Sequence, residues 1–189
     1  MGMKQVKMSP EHMEAIRKFI SSESFEWLEE IEWNGAFQKM LLFPTEDFQL
    51  SEEQFHAVVS LMDGAERLYV LKAGYDGKIF DPSNAVHVIS APFAYAEYEK
   101  IWLDTPAILF SDAKSWIVIT DELSQGGEGL FVGEEESFRR FREIYGDGRR
   151  DAAEFTEFFV SEHRQRGVPL DHLESMLKLC GEGERGNRE

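Results

Sequence analysis

Behind Ser9-Pro10-Glu11 the apolar residues Met13, Ile16, Phe19 and Ile20 recur at helical spacing. Ser9 suits a cap, Pro10 the first helical position, and Glu11 and Glu14 the positive end of the helix dipole. The pattern predicts a first helix that resumes after Ser21-Ser22 through Trp27, Leu28 and Ile31 and ends at Asn34-Gly35. Phe37 to Phe43 reads as a strand closed by Pro44, and Ser51-Glu52-Glu53-Gln54 as a capping box opening a helix with Phe55, Val58, Val59 and Met62 on one face. Arg67 to Lys72 and Ala85 to Ser90 are β-rich runs separated by the turn signals Asp76-Gly77 and Asp81-Pro82.

The middle of the chain is the most strongly β in character. Ala107 to Phe110, a polar turn at Ser111 to Lys114, and Ser115 to Thr120 predict a hairpin. After a Gly126-Gly127-Glu128-Gly129 loop comes a short strand, Leu130 to Val132, then a helix opened by Glu134-Glu135-Glu136 and carrying Phe138, Phe141 and Ile144. Past Gly146-Asp147-Gly148 only helix is predicted: Ala152 to Arg166 and Leu170 to Cys180, a pair separated by Gly167-Val168-Pro169 that packs on the sheet. The glycine-rich, charged stretch 181–189 reads as a disordered tail. Helices interspersed with meandering strands point to an α+β fold, a mostly antiparallel sheet flanked by N-terminal helices and a C-terminal helical pair, in one domain over residues 1–180.

Charge changes this picture more than composition does. The 189 residues carry 36 acidic and 20 basic side chains, a formal net of -16, and between Glu11 and Glu66 thirteen acids face only Arg17, Lys18 and Lys39. Binding bare nucleic acid requires clustered Lys or Arg, so no nucleic-acid partner is expected, whereas a basic protein partner is. Apolar residues make up 42% and aromatics 13%, enough for a buried core. Cys180 is the lone cysteine, which excludes an intrachain disulfide and fits a reducing cytoplasm. No apolar signal segment follows the N-terminus, and the longest apolar runs, Met40 to Phe43 and Trp116 to Ile119, fall far short of a membrane span of about 20 residues. A soluble, cytoplasmic protein with no membrane partner is expected.

Candidate chemistry is sparse. Gly126-Gly127-Glu128-Gly129 is followed by a strand and contains a carboxylate, so it reads as a hairpin loop and not a phosphate cradle. His12, His56, His87, His163 and His172 are scattered and lack metal-ligand spacing, so no metal and no cofactor is expected. Cys180, at helical spacing from Met176 and Leu177, reads as a structural thiol. Asp121-Glu122 reads as a solvated strand end. No catalytic residue emerges.

The stretch from Glu23 to Trp33 differs, because Glu23, Glu26, Glu29, Glu30 and Glu32 interleave with Phe25, Trp27, Leu28, Ile31 and Trp33. If helical, it sets Glu23, Glu26 and Glu30 on one face, with Trp27 between that face and the apolar one. Aromatic anchors in a charged surround suit docking to a basic partner, with Glu23, Glu26, Trp27, Glu29, Glu30 and Trp33 as candidate contacts. The alternative is an amphipathic helix with buried tryptophans and solvated glutamates.

Residues 110–146, from Phe110-Ser111-Asp112-Ala113-Lys114-Ser115-Trp116-Ile117-Val118-Ile119 through Gly129-Leu130-Phe131-Val132-Gly133 to the helix with Phe138 and Phe141, resemble a texture of bacterial immunity proteins. The resemblance implies a small, acidic, cytoplasmic α+β protein that binds and blocks a cognate toxin, often a basic nuclease; it assigns no functional residue. The function expected is therefore an acidic protein-binding module, an immunity-type inhibitor in its most concrete form. A small hydrolase or transferase with a site assembled from separated residues, or a homodimeric structural or regulatory protein, is the alternative.

Overall fold

The computed structural model describes residues 3–25, 27–123 and 126–181; Glu26 and all but the first residue of the expected tail lie outside them. Seven strands form one antiparallel sheet: β1 Lys4–Lys7, β2 Gln38–Thr45, β3 Arg67–Lys72, β4 Ala85–Ser90, β5 Ala107–Ser111, β6 Trp116–Leu123 and β7 Gly126–Gly133, in the order β1-β4-β3-β5-β6-β7-β2. Six α-helices among the described residues, α1 Pro10–Arg17, α2 Glu52–Val59, α3 Tyr95–Tyr98, α4 Glu135–Tyr145, α5 Arg149–Arg166 and α6 Asp171–Leu179, complete the α+β fold expected from the pattern.

Alternation along the strands separates two cores. On one face Leu41, Phe43, Leu71, Ile108, Phe110, Ile117, Ile119, Leu130 and Val132 pack with Ile16 of α1, Phe155 and Phe159 of α5, and Leu173 and Met176 of α6. On the other, Met40, Leu42, Leu68, Val70, Leu109, Trp116, Val118 and Phe131 meet Phe55 and Val58 of α2, Tyr98 of α3 and Phe141 of α4. Strands covered on both faces are continuously apolar, which explains Met40 to Phe43 and Trp116 to Ile119. Asp151, buried on α5, fixes the C-terminal pair to the sheet: its carboxylate accepts from the Phe43 N–H (2.8 Å) and the Tyr145 hydroxyl (2.6 Å).

Three expectations are corrected. The first helix ends at Arg17 and does not resume through Trp27, Leu28 and Ile31; only a 3₁₀ turn, Leu28–Glu30, forms there. The serines divert the chain, since Ser22 Oγ accepts from the Glu32 N–H (2.7 Å) and the Ser21 N–H bonds to the Glu32 carbonyl (2.9 Å). Glu23 and Glu30 therefore do not share a helical face. The Gly126 to Gly129 stretch is not a loop but the first half of β7. Glycine is required at position 127 because β2 and the loop after it pass directly over: a Cβ there would lie 1.8 Å from the Asp47 carbonyl oxygen. β6 likewise continues past Thr120, and β1 and α3 were not signalled by periodicity, each being only four residues long.

Candidate functional site

Extending β6 and β7 beyond the apolar pattern has a chemical result. Asp121 and Glu128 are register partners, two residues on from Ile119 and two before Leu130, so both carboxylates face the core shared with α5 and α6. Both are buried, Asp121 at 6% exposure and Glu128 at none. His172 of α6 lies between Glu128 and Glu29 of the 3₁₀ turn, with Nε2 2.9 Å from Glu128 Oε2 and Nδ1 2.7 Å from Glu29 Oε1. Among the described residues the second oxygens of Glu29 and Glu128 are buried without a hydrogen-bond partner.

The protonation states follow from this geometry. Burial alone would push the His172 imidazole down, but hydrogen bonds and charge from Glu128 and Glu29 outweigh it and hold the group up at about 9. The cationic imidazole thus bridges two carboxylates. Burial raises Glu128 against the pull of His172. Asp121 is raised to about 7, first by burial and further by the charges of Glu128 and Glu29, against the lowering effects of the Glu122 N–H and His172.

Asp121 also lines an open cleft of about 670 Å³ at the ends of the central strands β3, β5 and β6. Its walls come from four connections: Ser24, Phe25 and Glu30 between α1 and β2; Phe48 between β2 and α2; Gly74 to Gly77 between β3 and β4; and Asp104 to Pro106 before β5. The walls are stitched together by backbone. Phe25 N–H donates to the Gly77 carbonyl (3.4 Å), Ile79 N–H to Glu23 (3.0 Å) and Ala73 N–H to Pro106 (3.0 Å). Gly77, at φ 72°, takes a left-handed conformation in which a Cβ would lie 2.4 Å from the Phe25 oxygen. Asn84 closes the Gly74–Lys78 turn by donating to the carbonyls of Lys78 (3.0 Å) and Ile79 (2.9 Å).

Two aromatic side chains stand out near the cleft, Tyr75 at 82% exposure and Trp102 at 78%. Both are oriented by Asp104, which accepts from the Tyr75 hydroxyl (2.6 Å) and the Trp102 indole N–H (3.2 Å). Asp104 also pairs with Lys72, and these bonds, the lysine's first, bring its carboxyl down to about 2. Lys78 pairs with Asp76 (2.5 Å). Lys72 and Lys78 are thus committed to acids of the cleft walls, while among the described residues Asp121 accepts a single hydrogen bond, from the Glu122 N–H to Oδ1 (2.8 Å).

The candidate contacts read from Glu23 to Trp33 divide among several places. Glu30 lines the cleft, and Trp27, 42% exposed, lies on the same segment with its ring 6.2 Å from that of His172. Glu23 pairs with Arg17 (2.8 Å). Glu29 points inward to His172, and Trp33 is half-buried beneath Lys39, whose ammonium lies 4.7 Å from the ring. Glu26 lies outside the described residues. Asp121, Glu128 and His172 were missed as site residues. Asp121 is not a solvated strand end, and His172 is not a scattered histidine; positions 29, 121, 128 and 172 meet only through the fold. The available signal was alternation, since Ile117, Ile119 and Asp121 occupy successive inward positions.

Among the described residues no three His, Cys, Asp or Glu side chains are arranged to hold a metal ion. No helix among them is long and apolar enough to cross a membrane. No protein-family model, curated protein or solved structure matches this chain.

Proposed function

We propose that the protein is an acidic, cytoplasmic protein-binding module that docks a basic protein partner, most concretely an immunity-type inhibitor that covers the cationic site of a toxin. One observation carries the reading: an acid-lined cleft bordered by the exposed Tyr75, with the exposed Trp102 held beside it through Asp104. Large aromatics supply interface area at low entropic cost, and acids around them steer a cationic surface into place. The net charge of -16 extends that steering over the whole molecule.

The test is capture at low salt on the immobilised chain, followed by a salt series and by repetition with Glu30→Lys and Asp76→Lys together. A stoichiometric basic protein released by salt and lost on charge reversal is the expected outcome. Retention indifferent to both removes this surface as the docking face. Glu29 is unsuitable for reversal, because a lysine there would face His172 and compromise folding.

A second reading, a small enzyme, is favoured by Asp121 alone, a carboxyl that opens onto the cleft and titrates near neutrality, as a general acid or base requires. It requires turnover that Asp121→Asn abolishes. A broad hydrolase and transferase screen showing no turnover excludes it.

A further inference from the structure

We propose that the cleft is a receptor for one arginine side chain of the partner, seated against Asp121 with Tyr75 beside its guanidinium. The inference rests on the protein-binding reading and specifies what that surface recognises. Asp121 is more than nine-tenths buried, reaches the cleft, and makes one backbone hydrogen bond to Oδ1, which leaves Oδ2 without a partner among the described residues. Behind it, Glu128 and Glu29 share the single cationic group His172, and each retains a buried oxygen with no hydrogen bond. Three carboxylates around one imidazolium leave a charge deficit that a buried cluster meets with a proton or with a cation from outside.

The cleft wall already shows how it holds a cation. Lys72 pairs with Asp104, and its ammonium lies 5.6 Å from the centre of the Tyr75 ring, so the ring borders a carboxylate-bound cation. The outward side of Tyr75 is exposed, and Glu30 and Asp76 complete an acidic mouth. Arginine fits better than lysine: a planar guanidinium engages a carboxylate while lying along an aromatic face, and it is less costly to remove from water than an ammonium.

Occupation displaces the proton that Asp121 shares near neutrality. The charged and titratable groups around it are Glu122 on its own strand, Glu128 on β7, Glu29 and Glu30 on the 3₁₀ segment, His172 on α6, Lys72 on β3, and Asp76, Lys78 and Asp104 on the flanking loops. Asp121 itself titrates at about 7, so a guanidinium binds more tightly at pH 8 than at pH 6.

The experiment is a nuclear magnetic resonance titration of the full chain with N-acetyl-argininamide, with the lysine and citrulline amides as controls, at pH 6 and 8. Saturable shifts at residues 24–25, 74–77, 104–106 and 120–122 are expected, strongest for arginine, stronger at pH 8, and weakened about tenfold or more by Asp121→Asn. Tyr75→Ala, at an exposed position, gives a second weakened variant without relying on a buried substitution. Shifts spread evenly over the acidic surface, equal shifts with citrulline, or affinity unchanged by Asp121→Asn overturn the proposal. A basic protein retained undiminished by the Asp121→Asn chain overturns it while leaving the protein-binding reading intact; absence of any salt-sensitive partner removes that reading itself.

Discussion

Asp121→Asn separates the burden of a buried charge from the cost of losing a contact. In the unfolded chain the carboxyl titrates at 3.8 and in the folded chain at about 7, so the fold binds its proton more tightly. The stabilisation from that proton is complete below 3.8 and is lost as pH rises through 7. Asparagine cannot ionise, so the Tm of Asp121→Asn relative to the parent should rise between pH 5 and pH 8; a difference flat with pH would place the Asp121 carboxylate in a well-solvated setting. His172 runs in the same direction with a later window. Its value is 6.5 unfolded and about 9 folded, so its stabilisation is complete below 6.5 and is lost as pH rises through 9. Replacing it with Gln leaves Glu128 fully buried without a cation, an expected loss of about 3–5 kcal/mol in urea denaturation at pH 7. A loss under about 1 kcal/mol would mean that Glu128 is neutral in the fold.

At the scale of elements, the close passage of β2 over β7 makes the sharpest prediction. Gly127→Ala places a Cβ 1.8 Å from the Asp47 backbone oxygen and 2.1 Å from Thr45 Oγ1, so the edge of the sheet must separate. Gly64→Ala meets nothing within 4 Å and has no left-handed φ to strain. Thermal denaturation should show severe loss for the first and a change within about 0.5 kcal/mol for the second. The same stretch shows where sequence legibility ran out. Strands β3 and β4 and the capped starts of α1 and α2 emerged directly from their residues, because apolar patterning and the serine caps at 9 and 51 are local signals. Gly126 to Gly129 resembled a loop because glycine's usual local meaning is a turn, while here it admits a neighbouring backbone that no local signal reveals. The acidic-aromatic segment was recognised as unusual, yet its helical reading failed, since Ser21 and Ser22 form hydrogen bonds with Glu32, ten or more residues along the chain. The site was legible only as alternation carrying Asp121 inward, and its histidine came from 51 positions away on α6.

Across the whole molecule the acids are not evenly arranged with respect to the sheet. The cleft gathers Glu30, Asp76, Asp104 and Asp121, with Lys72 and Lys78 bound to two of them, whereas α4 and α5 balance seven acids with seven arginines. On the protein-binding reading, charges at the cleft act on a partner's association rate more strongly than on its dissociation rate. With the captured partner in stopped-flow, Asp76→Lys should slow association several-fold at 20 mM salt and much less at 500 mM, where the Debye length falls to a few ångströms. Glu154→Lys, on an exposed position of α5, makes the same change in net charge away from the cleft and should slow association far less. Equal slowing by both would show that the net charge of -16 acts as a whole, and the cleft would then have no directing role in docking.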